Sequence, residues 1–181
     1  MKIFWDIDET LIHSRVYIHD KHKHTFVVDV YDELYYTCVR PCSNDLINYS
    51  RELVGADNVY ILTAAAELYA QRISKKADWG FAEDHIIGRE TIERYSINIP
   101  SLYGSSTFVS EHPLAHPDNV IIDNLRPEWN NEKTTLMRIN PKTNYHKVDD
   151  YLGYNLEEDI FRDSIKHFLK TRYENKTIWI E

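Results

Sequence analysis

The chain has 181 residues, 43% of them hydrophobic, with 21 Lys and Arg against 29 Asp and Glu and a formal net charge of -8. That length and apolar content suit one domain with one well-filled core, and the acidic balance repels phosphate backbones, which argues against broad nucleic-acid binding. No apolar run approaches the roughly 18 residues of a membrane span, and Met1 to Phe4 is too short for a signal core. The only cysteines, Cys38 and Cys42, cannot build a disulfide framework. The expectation is a cytoplasmic monomer with no membrane attachment.

Lys2 to Trp5 reads as a short buried strand that delivers Asp6 and Asp8 at its C-terminal end. Residues 25–31 and 34–39 are rich in β-branched and aromatic side chains about an Asp32-Glu33 turn, which predicts a hairpin within an insertion of about residues 16–39. Ser43 is placed to cap a helix running to about Leu53. A second buried strand follows over 58–62, then a helix over 66–77, then a short strand from His85 to Ile87 ended by Gly88. From Ser96 to Pro117 the prolines, Gly104 and serines show no periodicity and predict irregular chain. Val120 to Ile122 is a strand ending in Asp123-Asn124, and Thr135 to Ile139 is the expected last strand of the main sheet. Asn155-Leu156-Glu157-Glu158 reads as a capping box ahead of a helix carrying Ile160, Phe161, Ile165, Phe168 and Leu169. This β-α-β-α order predicts an α/β fold over residues 1–181, with a parallel sheet covered by helices and a site at the strand C-termini.

Polar residues collect at that edge. Asp6 and Asp8 follow the first strand, Thr63 the second, Asp123 and Asn124 the fourth. A lone D-x-D-x-T is a weak signal, because surface loops often carry paired acids; the convergence of three strand ends gives it weight. The set suits phosphoryl transfer. Asp6 is placed as a nucleophile that splits hydrolysis into two displacements through an aspartyl-phosphate. Asp8, on the same side of an extended backbone, protonates the leaving oxygen and then activates water. Acids around a dianionic phosphate call for a divalent cation, and magnesium fits, with Asp6, Asp123 and the backbone carbonyl of Asp8 as ligands and Asn124 beside them. Thr63 offers its hydroxyl to a phosphoryl oxygen at a helix N-terminus, and also reads as an N-cap before Ala64-Ala65-Ala66. Ala64, Thr10 and Asn124 complete the expected substrate-binding set.

These residues carry a resemblance. Asp6-Ile7-Asp8-Glu9-Thr10-Leu11-Ile12-His13-Ser14 resembles the first motif of the haloacid dehalogenase superfamily, in the form typical of the small C-terminal-domain phosphatases and their Nuclear-LIM-interactor-interacting-factor-like relatives. Tyr36-Thr37-Cys38-Val39-Arg40-Pro41 resembles the strand and Arg-Pro helix start of that family, Tyr60-Ile61-Leu62-Thr63-Ala64 with Tyr69-Ala70 its second motif, and Val120-Ile121-Ile122-Asp123-Asn124 its fourth. The segment from Asp149 to Leu169 resembles its closing loop and helix. The resemblance implies a three-layer α/β/α Rossmann-like core with a small open cap. It also implies a magnesium-dependent phosphatase acting on a phosphorylated substrate, a phosphoprotein or a small phosphomonoester.

One element departs from the family pattern. The family places a phosphate-neutralising lysine before the fourth motif, and in Phe108-Val109-Ser110-Glu111 this chain has Ser110 there. Arg89 is the candidate substitute, against the plainer reading of a surface arginine; His112, Lys75 and Lys76 are weaker ones. The alternatives are a catalytically weakened phosphate- or protein-binding module that keeps the fold, and a nucleotide or polynucleotide-end phosphatase. His19, His22 and His24 beside Cys38 and Cys42 suggest zinc, but their spacing matches no common structural site. The thirteen tyrosines are expected to pack strand faces rather than to stack bases, and Trp129 and Tyr151 are candidates to flank the site through the loops near Asp123, against the plainer reading of packing.

Overall fold

The first strand, β1 (Ile3–Trp5), is buried at every position because it lies at the centre of a parallel sheet. The computed structural model describes residues 1–17, 24–91, 119–124, 145–153 and 157–176. In chain order the further elements are β2 (Ile12–Arg15), β3 (Phe26–Val30), β4 (Glu33–Val39), α1 (Ser43–Val54), β5 (Val59–Leu62), α2 (Glu67–Lys76), β6 (Ile86–Ile87), β7 (Val120–Asp123), β8 (Tyr145–Lys147) and α3 (Glu158–Lys176).

The main sheet has the order β6-β5-β1-β7-β8 with every pairing parallel. The chain steps from β1 to β5 and β6 on one side, then returns to β7 and β8 on the other. The strand order therefore reverses at β1, and the crevice outside the C-terminal ends of β1 and β7 is the switch point at which open α/β sheets bind ligands.

One sheet face, carrying Ile3, Trp5, Val59, Ile61, Val120 and Ile122, joins Leu46 and Ile47 of α1, Ala70 and Ile73 of α2, and Ile165 and Leu169 of α3 in one buried cluster. Trp5 is fully buried and its Nε1 donates to Ser50 Oγ on α1 at 3.2 Å, which satisfies the indole as burial requires. The opposite face, with Phe4, Tyr60, Leu62, Ile87 and Ile121, is buried as well. The three described helices all join the first of these faces. No described helix is long and apolar enough to cross a membrane.

The insertion after β1 is larger than a hairpin. It is a three-stranded antiparallel sheet of order β2-β4-β3, because Ile12 to Arg15 pairs with Tyr36 to Val39. Its turn is Tyr31-Asp32, both at positive φ (52° and 64°), one residue earlier than the expected Asp32-Glu33; this is the twist that two-residue hairpins favour. The sheet rests on α2 through the buried Val28 and Val30, the edge-to-face pair Tyr35–Tyr69 at 5.0 Å, and a hydrogen bond from Arg72 to the carbonyl of Asp29.

Several boundaries differ from expectation. The helix N-cap is Cys42 rather than Ser43, which is buried at the first helical position with its hydroxyl facing no partner among the described residues. Thr63 does not cap α2, whose N-cap is Ala66; its Oγ accepts from the Ala65 amide at 3.1 Å and closes the turn before the helix. The edge strand beside β7 is Tyr145–Lys147. The expected strand over 135–139 and the start of the capping box, 155–156, lie outside the described residues, as do His19, His22, Ser110, His112, His116 and Trp129.

Candidate active site

The sheet ladder carries directly into the site. Asp6 N donates to the Ile122 carbonyl at 3.0 Å, one step beyond β1, so Asp6 is fixed beside Asp123, the last residue of β7. The next residues fold back sharply: the amides of Thr10, Leu11 and Ile12 all donate to the Ile7 carbonyl at 3.3, 2.8 and 3.1 Å. Glu9 sits at φ 59° to make this turn, a conformation that costs a non-glycine residue roughly 1 kcal/mol or more and needs support. The Tyr151 amide supplies it, donating to the Glu9 carbonyl at 2.6 Å, and the Glu9 carboxylate is gripped by His13 Nδ1 at 2.7 and 2.8 Å. Arg15 Nε donates to His13 Nε2 at 2.6 Å, so a ring protonated at Nδ1 satisfies both neighbours.

Asp6 and Asp8 each keep partial solvent access while being densely surrounded by protein. The Asp6 carboxyl is held well above the ordinary carboxylate range, first by its withdrawal from water, then by Asp123 and Asp8, against hydrogen bonds from the Thr10 side chain and the Ile7 amide. Asp8 faces differently. Its Oδ1 accepts from the Tyr69 hydroxyl at 2.7 Å, and its pKa is pushed up to about 6 by burial and by Glu9, against the Tyr69 bond and His13. The two acids of the D-x-D pair thus have separate surroundings: Asp6 lies with Asp123, and Asp8 lies with Tyr69.

Thr10 and Asn124 form a brace between the ends of β1 and β7. Thr10 is fully buried; its hydroxyl accepts from the Asn124 amide at 3.0 Å and lies 3.4 Å from Asn124 Oδ1. Asn124 Nδ2 donates to Asp150 Oδ1 at 3.1 Å, which draws in the loop after β8. Thr63 is buried with its amide on the Ile87 carbonyl at 2.9 Å, and its hydroxyl hydrogen is left for another acceptor once Ala65 N has taken a lone pair. Arg89 reaches the same turn: its amide donates to the Ala65 carbonyl at 2.8 Å and its Nε to the Ala64 carbonyl at 3.1 Å, with the residue exposed. The close approach of Gly88 to Glu67 fixes this path, since a Cβ there would lie 2.8 Å from the Glu67 amide nitrogen.

A family model described as NLI interacting factor-like phosphatase matches residues 1–176. The chain belongs to that family. Comparison with curated proteins gives no match. Among solved structures, fission yeast RNA polymerase II CTD phosphatase Fcp1-R271A bound to beryllium fluoride is 15% identical, over 94% of this chain and 51% of that one, with a TM-score of 0.49. A structure of Fcp1, described as an essential RNA polymerase II CTD phosphatase, is 18% identical over 94% of this chain and 48% of that one, with a TM-score of 0.51. The second likeness is one of fold, a Rossmann-like core with a parallel sheet. The chain spans about half the length of these structures.

For a phosphatase family member the sequence reading assembled the acidic pair, Thr63, Asp123 and Asn124 at one edge, and all of them lie there. It missed Tyr69 as the partner of Asp8, the Glu9–His13 pair and the Tyr151 contact. Tyr69 carried a usable signal: it stands on the apolar stripe of α2 with Ala70 and Ile73, and a buried tyrosine hydroxyl there must find a partner. His24 meets Tyr36 edge-on and the Cys42 thiol donates to Glu158 Oε2 at 3.1 Å.

Proposed function

We propose that the chain hydrolyses phosphomonoesters through an aspartyl-phosphate on Asp6, with Asp8 as general acid and then general base. The observation that carries this is the division of the acids: Asp6 lies with Asp123 at the ends of adjacent parallel strands, while Asp8 is tied to Tyr69. The Asp6 carboxylate attacks phosphorus, and the bond to the leaving oxygen breaks as Asp8 gives that oxygen its proton. Asp8, now a carboxylate, takes a proton from the water that attacks the acyl phosphate; inorganic phosphate leaves and Asp6 is restored. An acid near 6 suits both halves of the cycle at neutral pH.

The donor set fits magnesium: Asp123 and Asp8 act on the Asp6 carboxyl, and carboxylate and carbonyl oxygens are the hard ligands that this ion takes. Asp6, Asp123 and the Asp8 carbonyl would hold the ion beside Asn124. Bound there, it offsets the charge of the carboxylates and of the phosphoryl oxygens. Thr63 and the Ala64 backbone receive the phosphoryl group, and Arg89, tethered at Ala64, supplies the cation that Ser110 does not.

Fcp1 is described as a CTD phosphatase, and a phosphorylated protein segment is the substrate class proposed for this chain. Turnover of phosphopeptides, nucleotides and sugar phosphates with magnesium, by the wild type and by Asp6→Asn, tests the reading. Release of phosphate from phosphopeptides by the wild type alone is expected. Equal release by Asp6→Asn overturns it.

A further inference from the structure

A tyrosine under the inserted sheet holds the second acid of the site. Thr37, in the middle of β4 and fully buried, shares a 2.8 Å hydrogen bond with Ser14 of β2 across the strand pair. Ser14 in turn lies near the Tyr69 hydroxyl. Tyr69, buried on α2, donates to Asp8 Oδ1 at 2.7 Å, and its ring is held edge-on by Tyr35 of β4 at 5.0 Å. The Asp8 carboxyl has few rotamers that keep this bond, and a donor on one oxygen leaves the other to carry the transferable proton.

Resting on the phosphatase reading above, we propose that Tyr69 is a positioning residue for the general acid: it fixes the Asp8 carboxyl by occupying Oδ1, so that the proton delivered to the leaving oxygen is carried on Oδ2. Tyr35 of β4 sets the Tyr69 ring in turn, and the inserted sheet acts on the chemistry through this contact. Tyr69 touches neither phosphate nor metal in this scheme, so its loss enters kcat/KM, which covers the steps up to formation of the phosphoenzyme, only through protonation of the leaving oxygen. Proton delivery matters for a poor leaving group and hardly at all for a good one.

That selectivity is the test. The kcat/KM for phenyl phosphate and for 2,4-dinitrophenyl phosphate is measured with magnesium for the wild type, Tyr69→Phe, Asp8→Asn and the double variant, with melting temperature as the control for folding. Tyr69→Phe is expected to lose roughly tenfold to a hundredfold in kcat/KM on phenyl phosphate, the scale of a misplaced catalytic group, and less than about threefold on the dinitrophenyl ester. In the Asp8→Asn background the same substitution is expected to cost nothing more on phenyl phosphate, because the two act as a unit. Equal losses on both esters, no loss on either, or full additivity with Asp8→Asn overturns the inference. If Tyr69→Phe fails to fold, Tyr35→Leu, which removes the ring packed edge-on against Tyr69, carries the same comparison and the same criteria. A wild type inert to both esters overturns the phosphatase reading and this inference with it. A wild type that needs Asp6, with Tyr69→Phe unselective, overturns only the role of Tyr69.

Discussion

Replacing Asp8 by Asn should stabilise the metal-free protein at neutral pH while leaving only a small residual turnover. Asp8 has its pKa raised from 3.8 to about 6 in the folded chain. An acid raised on folding binds more protons in the native state than in the unfolded one between those two values, so stability falls as pH rises through that window. Below about 3.8 the penalty is absent, and above about 6 it is fully present. A rise of about two units corresponds to about 3 kcal/mol, an upper figure because Asp8 keeps some solvent access. Asparagine keeps the shape and the acceptor for the Tyr69 hydroxyl and carries no charge to desolvate. Urea unfolding in chelator at pH 5, 6 and 7.5 reads this as a difference in midpoint at unchanged slope. The variant should exceed the wild type by up to about 3 kcal/mol at pH 7.5, with the gap shrinking steadily toward pH 5. A variant no more stable than the wild type at pH 7.5, or a gap that does not change with pH, would refute the reasoning.

Magnesium should raise the melting temperature of the wild type, by about 2.7 kcal/mol of stabilisation at a hundred times its Kd, and Asp123→Ala should lose most of that shift while Asn124→Ala keeps more of it; equal shifts in both would remove Asp123 from the ligand set. Arg89→Ala should cost roughly 3 to 4 kcal/mol of transition-state stabilisation with Ser110→Lys adding little, and a silent Arg89→Ala beside a faster Ser110→Lys would show that the charge is missing. Arg40 is buried between Tyr151 and Phe161, 4.8 and 3.8 Å from their ring centres, and is paired with Glu158 at 3.4 Å. Glu158→Ala should therefore destabilise by roughly 3 to 5 kcal/mol, leaving a buried cation alone; a loss under 1 kcal/mol in urea unfolding would show that the two aromatic rings hold the guanidinium without it.

The parts of the fold legible in the sequence were those whose burial is local and continuous. β1, β5, β6 and β7 are short apolar runs bounded by polar strand ends, and the parallel order of β1, β5 and β6 follows from α1 and α2 between them. β2 was illegible because His13-Ser14-Arg15 has no apolar alternation; it is a strand because β4 pairs with it and because Glu9, Tyr69 and Thr37 take up its side chains. The Ser43 and Thr63 caps failed for different reasons: Ser43 is buried one position inside the helix, where its hydroxyl meets no partner among the described residues, and Thr63 bonds the Ala65 amide in a turn that precedes the helix and that Arg89 also holds. At the site, residues one step beyond a strand were visible from their positions alone. Contacts between distant segments were not, as with Tyr69 to Asp8 across 61 residues and Asn124 to Thr10 across 114.

The central claim is that Asp6 becomes phosphorylated during turnover. With magnesium and 4-nitrophenyl phosphate the reaction is quenched in the steady state, the acyl phosphate is reduced with borohydride, and the site is read by mass spectrometry as a homoserine. The account predicts homoserine at Asp6 in the wild type, its accumulation in Asp8→Asn, and none in Asp6→Asn. Label at another residue, or wild-type turnover by Asp6→Asn, would contradict it.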